Sequence, residues 1–88
     1  MKSSQYLAVF KSLSYAGQIR NCFRSDNQPA IIKTPKSILG GCSYALSFPK
    51  EQLNEMLHIL NDHKKGFLGI FYHTINGHYE EITNDLLG

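Results

Sequence analysis

Cys42 stands directly behind a glycine pair in the segment Thr34-Pro35-Lys36-Ser37-Ile38-Leu39-Gly40-Gly41-Cys42-Ser43. Glycine reaches positive φ without steric cost and lets other groups approach the main chain, so Gly40-Gly41 suits a turn that presents a side chain. A presented thiol can act as a nucleophile. Helix N-termini and nearby lysines lower a cysteine pKa from about 8.5 toward neutrality, and the same setting stabilises a persulfide or selenide anion. The plainer alternative is a small apolar residue at a strand edge, because free cysteine is among the most buried residue types.

The other reactive side chains are less suggestive. Cys22 and Cys42 form neither a disulfide framework nor a C-x-x-C pair, so each reads as a free thiol. Cys22 falls late in a helical pattern, away from the end that carries Cys42, and reads as core packing. His58, His63, His73 and His78 show no H-x3-H or H-E-x-x-H spacing, which argues against a metal site. Around a two-residue Asn76-Gly77 turn, His73 is expected opposite Glu80. His63 is the one histidine expected at the Cys42 end of the domain, where a Cys-His pairing is conceivable.

Local patterns supply the frame. Tyr6 to Phe10 is rich in strand formers, and Ser12 or Ser14 can cap a helix. Leu13, Ala16, Ile19 and Phe23 then recur at helical spacing, until Ser25-Asp26-Asn27-Gln28-Pro29 breaks the pattern. Ala30 to Thr34 is a second strand, Pro35 to Gly41 a loop and Ser43 to Phe48 a third strand. Pro49 opens a second helix whose stripe is Leu53, Met56, Leu57 and Leu60, ending within Asn61 to Gly66. Phe67 to Ile75 is a fourth strand, and Asn76-Gly77 predicts a type I′ hairpin into His78 to Ile82. The order predicts an α+β fold, a ferredoxin-like βαββαβ sandwich with a short C-terminal hairpin strand and both helices on one sheet face.

That topology gives Cys42 its setting. The strand-one-to-helix-one turn and the loop before strand three share one end of the domain. Cys42 is therefore expected near the free N–H groups of Ser12, Leu13 and Ser14, where the helix dipole favours an anion. Gly41, Ser43 and the charge of Lys36 complete the candidate anion-stabilising set, with Lys11 close by.

Eighty-eight residues fit a single domain, 1–88 with a core of about 5–83. Nine basic and seven acidic residues give a net charge of +2 with no like-charge run, so no nucleic-acid arm or membrane-surface tail is expected. No stretch approaches the length of a membrane span or signal core, and a soluble cytoplasmic protein is the default expectation. Both faces of strand one are apolar, with Tyr6, Ala8 and Phe10 on one and Leu7 and Val9 on the other. Helices cover one face, leaving the other for a homodimer, a protein-docking surface or, lacking an RNP pattern, least of all an RNA platform.

Three segments resemble the selenium/sulfur carrier protein-like family. Tyr6-Leu7-Ala8-Val9-Phe10-Lys11-Ser12 is similar to its opening strand, Phe and helix start. Thr34 through Phe48 is similar to its Pro-centred loop, small residues, Cys and apolar strand. Gly69-Ile70-Phe71-Tyr72 resembles its closing strand. The likeness runs from about Tyr6 to about Ile82, and the family commonly has Gly where this chain has Ser43. The resemblance implies that Cys42 accepts sulfur or selenium as a persulfide or perselenide from a desulfurase or selenocysteine lyase-type donor and passes it to a thiol acceptor protein. It implies a carrier more than an enzyme, with no cofactor and no metal. The competing expectation is a non-covalent interaction or regulatory module that uses the open sheet face.

Overall fold

The computed structural model describes residues 6–24, 28–38, 43–74 and 76–83. Strands β1 (Tyr6–Phe10), β2 (Ala30–Lys33), β3 (Tyr44–Phe48), β4 (Phe67–His73) and β5 (Tyr79–Glu81) form one antiparallel sheet, joined by helices α1 (Leu13–Asn21) and α2 (Leu53–Asp62). The class is α+β, as the sequence predicts. The strand order is β2-β3-β1-β4-β5, so β5 widens the sheet beyond a four-stranded sandwich.

Strand alternation sorts side chains into two layers. Ala8, Phe10, Leu46, Phe48 and Ile70 pack against Ala16 and Ile19 of α1, Phe23 beyond it, and Met56 and Leu60 of α2. Both helices therefore cover the same sheet face. Leu53 and Leu57 pack at the margin of this core, so the α2 stripe forms as its spacing dictates. On the other face Leu7, Val9 and Ala45 are buried, with Phe71 of β4, Tyr79 of β5 and Ile38 of the β2–β3 connection packed against them. The face expected to be open is thus covered in part, at Ile38, by a connecting segment.

Several expectations shift. Leu13 is 51% exposed rather than part of the α1 stripe, because it is the first helical residue and no described element lies over it. The segment after Pro49 enters α2 through a single 3-10 turn, Lys50–Gln52, which delays the α-helix to Leu53. Gly77 has φ +86, but its N–H bonds back to Thr74 and Thr74 pairs with His78, a register that a two-residue type I′ loop at Asn76-Gly77 does not give. Thr74 N–H donates to His78 O at 2.8 Å and Gly77 N–H to Thr74 O at 3.0 Å, closing a three-residue loop. The extra residue moves the register: His73 faces Tyr79, not Glu80, and the rings stack at 4.7 Å. Ile75 lies outside the described residues.

Candidate functional site

The β2–β3 ladder ends at Lys33 opposite Tyr44, and Thr34 N–H donates to Ser43 O at 3.3 Å one step beyond it. The connection that contains Cys42 therefore leaves and re-enters the sheet at a closed rung. Within it, Ile38 N–H donates to Pro35 O at 3.0 Å, and this turn brings Ile38 back onto the Leu7, Val9 and Ala45 cluster. Lys36 is exposed on the same turn. Leu39, Gly40, Gly41 and Cys42 itself lie outside the described residues. Ser43, joined to Cys42 by one peptide bond, is buried.

β1 delivers the helix end to the same place. Phe10 pairs with Tyr44, so the exit of β1 lies beside the entry of β3. Ser12 is the N-cap of α1, with φ −149 and ψ 165, and its Oγ accepts from Tyr15 N–H at 3.4 Å. The amides of Leu13 and Ser14 belong to the first turn and have no acceptor within the helix. No acidic side chain occupies that turn, so the turn's own residues do not offset the positive end of the dipole. Lys11 is exposed, while its N–H donates to Gly66 O at 2.8 Å and fastens the start of α1 to the turn before β4. Replacing Ser12 with alanine is expected to cost about 1 kcal/mol, read as a lower urea midpoint at unchanged slope.

The sequence model of the family described as "Putative Se/S carrier protein-like" matches residues 5–72. The chain belongs to that family. The matched span holds β1, α1, β2, the Cys42 loop, β3 and α2, and it stops inside β4. No curated protein and no solved structure gives a significant match.

In this Se/S carrier-like chain the described thiol is Cys22, and it is exposed rather than in the core. It caps the C-terminal end of α1, one step past the last helical turn, and its thiol donates to Gln18 O at 3.3 Å. The neighbouring Phe23 takes the buried position instead. Two grooves between the helices meet at Cys22. Tyr15, Gln18 and Lys64 border one, Arg24, Asn54 and His58 the other, and His63 borders both. Whether His63 meets Cys42 falls outside the described residues. Among the described residues no three His, Cys, Asp or Glu side chains converge as metal ligands, and no helix is long and apolar enough to cross a membrane. Two further polar groups stand out at the loop base. Thr34 Oγ1 and Ser43 Oγ are buried and have no hydrogen-bond partner among the described residues. Thr34 carries no chemical signature in the sequence; the strand register, which sets it opposite Ser43, is the signal that reveals it.

Proposed function

We propose that the chain carries one sulfur or selenium atom as a persulfide or perselenide on Cys42. The family match supports this reading most strongly, because it spans the whole loop from Thr34 to Ser43. The frame around the loop is consistent with it: Ser43 and the uncompensated start of α1 share one end of the sheet. In this reading the amides of Ser12, Leu13 and Ser14, with Gly41 and Lys36, favour the thiolate over the thiol. The β-α-β-β-α-β core is taken as ferredoxin-like, supported by β1 lying between β3 and β4 with both helices on one face.

The exchange balances without an external oxidant. The Cys42 thiolate attacks the outer chalcogen of a donor persulfide or perselenide; the donor's S–S or S–Se bond breaks, and its electron pair leaves with the donor thiolate. An acceptor thiolate then attacks the same outer atom and releases the Cys42 thiolate. The transferred atom stays at the zero oxidation level throughout. Free hydroselenide would need a two-electron oxidant, so a desulfurase or selenocysteine lyase-type donor that already holds the atom on a thiol fits the chemistry.

The test is incubation with a cysteine desulfurase and L-cysteine, followed by intact-mass measurement of wild type, Cys42→Ser and Cys22→Ser. Wild type and Cys22→Ser are expected to gain one sulfur, and Cys42→Ser none. Equal gain in both variants would remove the site, and no gain in any of them would remove the carrier reading. A second reading, the interaction module, has one observation in its favour. A groove of about 310 Å³ on the face away from the helices is lined by Val9, Ile38, Leu68, Phe71 and Glu81, with Leu68 42% exposed.

A further inference from the structure

We infer that the end of the domain carrying Lys11, Lys33, Lys36, Lys64 and Lys65 is a docking surface for an acidic face of a partner protein. In the carrier reading that partner is the donor or the acceptor of the atom, because the β2–β3 connection leaves the sheet from the same end. The surface itself is drawn from the lysines and does not require a loaded thiol.

The last rung of the sheet fixes the placement. Lys33 pairs with Tyr44, Tyr44 with Phe10 and Phe10 with Phe67. Within three chain positions of that rung stand Lys11, Lys36, Lys64 and Lys65, so five of the nine basic residues gather here, and no acidic residue falls in the same windows. All five lysines are exposed. The bond from Lys11 N–H to Gly66 O holds the exit of β1 against the turn that follows Lys64 and Lys65. The rung spans about 14 Å from β2 to β4, so the fields of its lysines overlap at a Debye length of about 10 Å in 0.1 M salt. Asp62 borders a groove with Lys64 and Lys65 and offsets one charge. The opposite end has the other sign. Its rung is Phe48, Tyr6, Tyr72 and Glu80, and the same windows hold Lys50 against Glu51, Glu80 and Glu81.

Chemistry selects the partner. A net charge of only +2, divided into a basic end and a more acidic one, orients one face toward a complementary face rather than attracting polyanions in general. Leu13, 51% exposed, opens α1 two residues after Lys11 and sets an apolar contact within a charged rim, the anatomy of a protein interface. The first turn of α1 brings its free amides to the same end, so carboxylates of the partner meet donors as well as charge. Lys64 and Lys65 stand just beyond the negative pole of α2 and outweigh it. Single-stranded nucleic acid binds where aromatic rings are free to stack, whereas Phe10, Tyr44 and Phe67 of this rung pack in or against the helix-side core. Adsorption to a membrane scales with buried apolar area, and one exposed leucine supplies little.

The experiment reads binding rather than loading, so this surface and the carrier reading can fail separately. The probe is a fluorescein-labelled, glutamate-rich peptide with a central leucine, titrated with the full chain as wild type, Lys36→Gln with Lys64→Gln, Lys50→Glu and Leu13→Ala. The double variant and Lys50→Glu lower the net charge equally. The double variant is expected to bind about fivefold more weakly and with a shallower salt dependence, while Lys50→Glu stays within about twofold of wild type. Leu13→Ala should weaken binding about threefold at an unchanged salt dependence. Equal weakening by the double variant and Lys50→Glu reduces the effect to net charge and overturns the surface, as does a wild type that leaves the peptide free. Tighter binding of a single-stranded oligonucleotide or of phosphatidylserine vesicles, at matched charge, overturns the protein partner in favour of a nucleic acid or a membrane.

Discussion

Alanine at position 66 will destabilise the domain by about 3 kcal/mol, more than a surface glycine change normally does. Gly66 has φ +79, a conformation that a β-carbon disfavours. A Cβ there would also overlap the Tyr15 ring, whose Cδ2, Cγ and Cδ1 atoms crowd the glycine. The backbone cannot relax freely, because Gly66 O accepts the Lys11 N–H that ties down the start of α1. For a domain of this length each kcal/mol is worth roughly 4–8 °C, so the melting temperature should fall by well over 10 °C. Tyr15→Ala in the Gly66→Ala background should recover part of the loss, because it removes the steric component and leaves the backbone one. A single-variant loss below about 1 kcal/mol would show that the ring steps aside without cost.

Phe10→Ala is expected to cost about 3–5 kcal/mol, a large share of the whole stability of a small domain. Phe10 is fully buried, its ring lies 5.7 Å from that of Phe67, and its backbone pairs with both Tyr44 and Phe67. No described neighbour is free to fill the space, since Leu46, Phe48 and Ile70 already pack in the same layer. Urea unfolding should show a midpoint shift with little change of slope. A loss under about 2 kcal/mol would mean that the layer collapses into the cavity. Because Phe10 is also the last strand residue before the cap of α1, a drop in Cys42 loading in this variant would report the frame rather than the chemistry.

Helix and strand types were readable from periodicity because burial enforces it. Met56 and Leu60, or Leu46 and Phe48, cannot leave their spacing without exposing core. End effects were less readable. Leu13 matches the stripe in spacing but occupies the first turn, where position in the fold decides burial. Cys22 misled in the same way at the other end of α1, since a helical count cannot tell the last turn from the cap. The hairpin failed for a local reason: Asn-Gly permits a two-residue loop, yet bonding between Thr74 and His78 sets a three-residue one. At the loop base, Ser43 is marked in the sequence as the neighbour of Cys42, whereas Thr34 is set beside it only by the cross-strand register and the bond that extends it.

The sheet's two outer strands run to only four and three residues, with Lys33 on one and Glu80 and Glu81 on the other. Brief, charged borders of this kind give a neighbouring backbone little to zip against, which is how natural sheets resist growing into fibrils. Lateral polymerisation is thereby discouraged at both flanks, and any stable association of this chain falls to its broad surfaces or its connecting segments.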